Sequence, residues 1–342
     1  MLAILTLASA VALSHQSDPV VYSFAFFGCN RLEKDQWEKP TNPSSANLPQ
    51  LQQNFQDIAG IRPVPNALFA TGDLVLGYED DKGEGLNAQL EGWIAEFRRS
   101  PLRGKVALIP IAGNHEMNRK VDRAKLASDF TSGVWNQWLL RNHLMPTKPN
   151  GPGRRGADGI VDDQSRLNFS IEHGPLHFTI INTDTRVSSN KIGAVPMEWI
   201  RRDISEATSR GKTVFMFGHR NLTEPLTSHG DSPIDPEHAG PLVELFKETP
   251  LAKAYVCAHV HAWDVSRIEG SEAWQIVGGN GGTPLEKDWK PASGRSFGFG
   301  VVSLHKSGQL TLTPYQRPEE GALEPAVAAK EIELGSVRTT AQ

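Results

Sequence analysis

The residues of this chain that could do chemistry fall in five short groups, each behind an apolar run. They are Gly28-Cys29-Asn30-Arg31, Gly72-Asp73, Gly113-Asn114-His115-Glu116, Gly218-His219 and Ala258-His259-Val260-His261. Carboxylate, amide oxygen and imidazole nitrogen together suit borderline cations such as Zn, Mn and Fe. A single histidine behind a strand is more often a satisfied core residue. His219, His259 and His261, in that order after Gly72-Asp73 and Gly113–Glu116, favour a metal instead. The glycines beside these residues let the backbone turn sharply where a strand ends. Glu116 reads as a support for the site, Asp184 as a turn-forming Asx residue, and Cys257 as a small apolar packing residue.

The apolar runs are the elements that must position these groups. VVYSFAFFG (20–28), ALFA (67–70), KVALIPI (105–111), TVFMFG (213–218) and KAYVCA (253–258) read as strands. Leu51, Phe55 and Ile58 recur at helical spacing, as do Leu86, Leu90, Trp93, Ile94 and Phe97, and Ile200, Ile204 and Ala207. Strand and helix therefore alternate in the first third, which argues for α/β layering. In such folds sites form beyond the carboxyl ends of the strands. Leu167, Phe169 and Ile171, then Leu176, Phe178 and Ile180, alternate on either side of His173-Gly174-Pro175 and predict a hairpin. FGFGVVSL and QLTLTPY predict a closing hairpin, and the Glu/Ala-rich stretch 317–342 is expected to be a loose tail. Residues 147–164 are rich in Pro, Gly and Asp and read as a loop.

With 342 residues the chain can bury a sizeable core as one domain, expected over 20–316. It carries 35 basic and 39 acidic residues and no basic run, so neither a nucleic-acid surface nor a membrane surface is expected. Residues 1–14, apolar from Leu2 to Leu13 and small at Ser14, resemble a short secretory leader without the usual basic start. A secreted or periplasmic protein is the expectation, and no other stretch reaches transmembrane length. Two cysteines make no disulfide framework. Asn168-Phe-Ser and Asn221-Leu-Thr match the glycan acceptor pattern, but both lie near predicted strands and read as chance matches.

Taken together and in order, the five groups resemble the calcineurin-like metallophosphoesterase superfamily, whose pattern is D-x-H, GD, GNH[DE], a lone His and GHxH, each after a strand. GD stands at 72–73, GNHE at 113–116 and AHVH at 258–261, the last departing only by Gly to Ala. The resemblance spans about residues 20 to 316. It implies an α/β sandwich: two mixed β-sheets flanked by helices, with the site at the edge where strand ends meet. It further implies two metal ions (Fe, Zn or Mn) that activate water for attack on a phosphate mono- or diester, with a small phosphorylated substrate. Carried over residue by residue, Asp73 would bridge both ions, Asn114, His219 and His259 would complete the second site, and His261 would bind the first. His115 would sit beside the leaving-group oxygen, and Arg31 and Arg220 could clamp phosphate oxygens, although Arg220 reads more readily as structural.

The first motif departs from the family. Cys29-Asn30-Arg31 stands where Asp-x-His is wanted, and arginine cannot ligate. Cys29 has three readings: a thiolate ligand of the first ion, half of a disulfide with Cys257, or an inert filler. Leu76 occupies the position three residues after the bridging Asp where purple acid phosphatases place Tyr, and Tyr78 falls two residues too late, so no tyrosinate-to-iron colour is expected. Two rivals remain open. One is a nucleotide phosphodiesterase or nuclease on the same scaffold, which would need a basic groove. The other is a degenerate single-metal phosphate-binding protein, which Cys29-Asn30-Arg31 would explain.

Overall fold

The computed structural model describes residues 18–77, 84–117, 130–153, 164–185, 193–223, 233–289, 294–320 and 323–337. Two mixed sheets lie face to face. The first contains β1 (Val20–Phe27), β2 (Ala67–Ala70), β3 (Ala107–Pro110), β10 (Phe297–His305), β11 (Gln309–Arg317) and β12 (Val327–Ala328), in the order β12-β11-β10-β1-β2-β3, with β13 (Ile332–Ser336) also paired to β11. The second contains β4 (Phe169–His173), β5 (Leu176–Ile180), β6 (Thr213–Phe217), β7 (Ala252–Cys257), β8 (Trp263–Arg267) and β9 (Trp274–Gly278), in the order β4-β5-β6-β7-β9-β8. β1, β2 and β3 run parallel, as do β5, β6, β7 and β9, so their carboxyl ends gather at one edge of each sheet. The expected two-sheet α/β architecture is the one observed.

A period-2 pattern drives apolar side chains from both sheets into one shared layer. Phe24, Phe26, Phe69, Phe178, Phe215 and Phe217 are all buried there, and Phe69 stacks on Phe217 with ring centroids 4.0 Å apart. Outside the first sheet, α1 (Leu48–Gly60), α2 (Glu84–Arg99) and α3 (Phe130–Arg141) bury their apolar stripes against the opposite faces of the strands. Outside the second sheet, α4 (Met197–Ser209) and α5 (Pro236–Glu248) do the same. α1 begins at Asn47, whose side chain accepts from the Gln50 amide, with Pro49 in the first turn. Among the described residues no helix is long and apolar enough to cross a membrane.

The sequence led us to expect a loose tail after residue 317, and the structure corrects this. β12 and β13 add to β11 and shield what would otherwise be an unpaired edge. Two strands of two and five residues are too short to announce themselves by alternation. Arg317 anchors the turn into this segment. It is buried, pairs with Asp57 at 2.8 Å, donates to Gln50 Oε1 at 2.7 Å, and also meets Asn54. Asp57 in turn accepts from the Ala326 amide at 2.9 Å. The expected leader and Tyr78 lie outside the described residues. Asn168 and Asn221 are fully buried, which removes them as glycan acceptors.

Replacing Arg317 with Met keeps the stem but strands Asp57. Urea unfolding followed by circular dichroism is expected to show a loss of about 3–5 kcal/mol, the usual cost of breaking a buried ion pair from one side. A loss below about 1 kcal/mol, the range of surface pairs, would mean that the pair does not hold the tail.

Candidate metal centre

The residues singled out in the sequence converge where strand ends of the two sheets meet. Three of them leave their strands with left-handed backbone: Cys29 at φ 52°, Asp73 at 54° and His259 at 65°. That conformation is costly for non-glycine residues and persists only where surroundings enforce it. Here the enforcement is visible. The Cys29 amide donates to Gly72 O at 2.9 Å, the Asn30 amide donates to Asp73 O at 3.1 Å, and Cys29 O accepts from the Thr283 amide at 2.8 Å. Space is equally tight. A Cβ on Gly72 would lie 2.4 Å from His219 Nδ1, and one on Gly113 would lie 2.4 Å from Asp73 Oδ1. The departure from Gly to Ala at 258 is accommodated across the site by Gly28, where a Cβ would meet that of Ala258 at 2.6 Å.

Glu116 fixes the frame. Its buried carboxylate accepts four backbone N–H groups: Asp73 at 3.0 Å, Leu74 at 2.8 Å, Val75 at 3.1 Å and Gly113 at 2.8 Å. Burial, and then the charge of Asp73, push its pKa up to about 7, while the N–H groups from Gly113 and Val75 oppose the shift. Asp73 is held the other way. Burial would raise it, but His219, His115 and Arg31 keep it well below the usual carboxylate range. Its Oδ1 accepts from the His115 amide at 3.1 Å and lies 3.3 Å from His219 Nε2.

His219 is fully buried, and its Nδ1 lies 2.8 Å from Thr71 O, a carbonyl that can only accept. Nδ1 therefore carries the proton, and Nε2 faces Asp73 Oδ1 and, at 3.1 Å, Asn114 Oδ1. His259 lies beside it, ring edge to face at 5.1 Å. Its Nε2 accepts from Arg220 Nη1 at 3.0 Å, and its Nδ1 is buried with no partner among the described residues. Burial, then Arg220 and His219, hold the ring neutral by lowering its pKa well below the ordinary value. Arg220 is itself fixed by Asp184 Oδ1 at 2.7 Å. Arg220 thus orients His259, while Asp184 orients Arg220 and is not the Asx residue of its turn. Asn182 has that role, accepting from the Asp184 amide at 3.0 Å.

The Cys29 thiol, an Asp73 oxygen and a His219 nitrogen all lie within 4.8 Å of one another. Both cysteines are buried free thiols, which excludes the Cys29–Cys257 disulfide. His261 is not in that cluster; it is half-buried, with Nδ1 3.1 Å from Pro284 O. His115 Nδ1 lies 2.7 Å from Leu76 O, and its Nε2 lies 3.9 Å from Asp73 Oδ2. Burial lowers its pKa to about 4 against the pull of Asp73. Arg31 pairs with Glu33 at 2.8 Å and reaches Asp73 Oδ2 with Nε at 3.9 Å. The relay Asp184–Arg220–His259 was not legible in the sequence beyond the adjacency of Arg220 to His219.

Glu116→Gln keeps the size of the side chain but leaves an amide nitrogen facing two of the four donors. The stability loss in denaturant unfolding is expected on the order of 2–6 kcal/mol, from two buried N–H groups losing their acceptor. Binding of added Zn should weaken in parallel, because the Asp73 turn is no longer fixed. Unchanged stability and metal affinity would remove Glu116 from the frame.

Solved structures share this architecture at low identity. The purple acid phosphatase PPD1 of yellow lupin (Lupinus luteus) superposes with a TM-score of 0.58 and 17% identity over 86% of this chain, which spans about half (51%) of the lupin chain. A dimetal phosphatase from Danio rerio gives 0.56 and 11% identity, covering 93% of this chain and 100% of that one. GAP50 of Plasmodium, described as the anchor in the inner membrane complex, gives 0.57 and 12% identity over 93% of this chain and 90% of its own. These likenesses establish the fold. Comparison with curated proteins gives no match. The model of the calcineurin-like phosphoesterases matches residues 22–263, which cover β1 to the start of β8 and all five groups of site residues, and the chain belongs to that family.

Proposed function

We propose that this chain is a metal-dependent hydrolase of phosphate mono- or diesters. The observation that carries the reading is the convergence of Asp73 Oδ1, Asn114 Oδ1 and His219 Nε2, each 3.1–3.3 Å from its neighbour in the set, with the His259 ring edge to face on His219. Converging lone pairs of this kind lack a positive charge at their centre, and the donor set fits a borderline cation. A bound ion would supply a field that makes hydroxide available near neutral pH. Asp73 would neutralise part of that charge, Asn114 would add an amide oxygen and His219 would bind as a neutral donor through Nε2. His259, whose Nε2 accepts from Arg220 and whose proton therefore sits on Nδ1, would have to shift tautomer to join them. Glu116 and Arg220 hold these ligands in place. The family implies metal ions. Two ions would need a second set from Cys29, Asp73 and His261.

His115 presents Nε2 towards the outer oxygen of Asp73, at the open side of the set. In this reading it meets the leaving-group oxygen, for which Nε2 must first gain a proton because Nδ1 already donates to Leu76 O, and Arg31 holds the non-bridging oxygens of the phosphate. The apolar residues 1–14 would direct the protein out of the cytoplasm, so the substrate would be a small phosphorylated compound met outside it.

The test is hydrolysis of a phosphomonoester and a phosphodiester panel by protein reconstituted with Zn, Mn or Fe. Asp73→Asn, Asn114→Ala and His259→Ala should each abolish most turnover and lower bound metal, because each opens a position that water cannot fill with the same charge or geometry. Full activity in all three would overturn the proposal. For His115→Asn, turnover on alkyl phosphates should fall by roughly 10²–10⁴. Activated aryl phosphates, whose leaving group needs no proton, should lose less. Equal losses on both substrate classes would assign His115 to positioning.

A further inference from the structure

We infer that this chain binds one ion where its family pattern binds two, and that the Arg31 guanidinium stands in the place of the first. The inference rests on the phosphoesterase reading and sharpens it. Cys29, in this arrangement, joins Asp73, Asn114 and His219 around the single ion rather than pairing with His261 around another.

Three observations carry this. First, the Cys29 sulfur lies with the Asp73 and His219 donor atoms in one cluster no wider than 4.8 Å, so all three can face one centre. The His259 ring lies edge to face on that of His219, with centroids 5.1 Å apart. His261 does not belong to it and holds its Nδ1 against Pro284 O at 3.1 Å.

Second, the two oxygens of Asp73 have different neighbours. Oδ1 faces His219 at 3.3 Å, whereas Oδ2 faces Arg31 Nε and His115 Nε2, each at 3.9 Å. A carboxylate that bridges two ions must turn its second oxygen to the second ion, and here that side is taken by a guanidinium. Arg31 cannot give up its charge and cannot ligate. It is also fixed in place: its side chain is 9% exposed and bonded to Glu33 at 2.8 Å, its backbone forms a bridge with Ala46, and its Nε is buried with no hydrogen-bond partner.

Third, the charges balance for one ion and not for two. Among the described residues, the anionic groups counted here are Asp73, Glu33 beside Arg31 and, once deprotonated, Cys29. Asp184 is paired with Arg220, and Glu116 is turned to backbone amides. One divalent ion with Arg31 matches those three negative charges, while two such ions would leave a buried excess of positive charge. Binding the single ion releases the Cys29 proton to solvent. The Arg31 fork, whose Nε makes no hydrogen bond and lies 3.9 Å from Asp73 Oδ2, could then take phosphate oxygens.

Cobalt(II) tests this on the wild-type protein without substrate. Metal analysis of the reconstituted chain should give one cobalt per chain, and the spectrum should show a near-ultraviolet thiolate-to-cobalt band that is lost in Cys29→Ser. Arg31→His removes the guanidinium and restores an imidazole to the first motif, and it should raise the content from one to two ions. Two ions in the wild type, or one ion with no thiolate band, would overturn the inference, as would one ion in a folded Arg31→His variant. Failure of the phosphoesterase reading looks different: one cobalt and a thiolate band, with no hydrolysis of any phosphate ester.

Discussion

A single buried carboxylate ties the site together. Glu116 accepts N–H groups from the turn after β2 and from the turn after β3, and so fixes two loops against each other with one side chain. The four buried backbone amides beyond the two strand ends, those of Asp73, Leu74, Val75 and Gly113, all donate to this one carboxylate. The left-handed turn at Asp73 depends on that grip. So does the direction of its carboxylate, and with it the distances to His219, His115 and Arg31. Replacing a charge-bearing clamp by a neutral one would alter the geometry of residues that it never touches.

A second relay does the same on the other sheet. Asp184 holds Arg220, and Arg220 holds His259 Nε2, which leaves Nδ1 as the nitrogen turned away from the protein's own partners. Tyr255 adds a hydroxyl to Arg220 O at 2.6 Å, and Thr183 receives the amides of His219 and Arg220. Each sheet therefore carries its own support for its own ligands, and the apolar layer around Phe24, Phe69 and Phe217 sets the distance between them.

The elements that hold the site were legible because each is long enough to show its period. β1, β2, β6 and β7 are buried apolar runs that stop at glycine or alanine just before a polar residue, and α1, α2 and α4 show helical stripes. α3, α5, β8 and β9 went unread, and β12 and β13 were taken for a loose tail. α5 carries a proline within it, and β8 is half-exposed with no clean alternation. Residue identity could single out Asp73, Asn114, His219 and His259 as candidate ligands, and the structure brings them near one another. It could not distinguish which oxygen of Asp73 faces Arg31, nor that Asp184 acts through Arg220, because both depend on side-chain directions set by packing. The place of Cys29 was open among three readings, and free, buried thiols closed one of them.

The division of the donors between two sheets has a consequence for the order in which the protein comes into being. Cys29, Asp73 and Asn114 are made early, His219 and His259 much later. β1, which aims Cys29, lies between β2 and β10, and β10 begins only at Phe297. A ribosome that has released residues up to Asn114 has therefore produced three of the five candidate donors on a sheet still missing its central neighbour. In the proposed reading, capture of an ion would wait until nearly the whole chain has emerged and both sheets have met, so an occupied centre would mark a molecule that has finished folding.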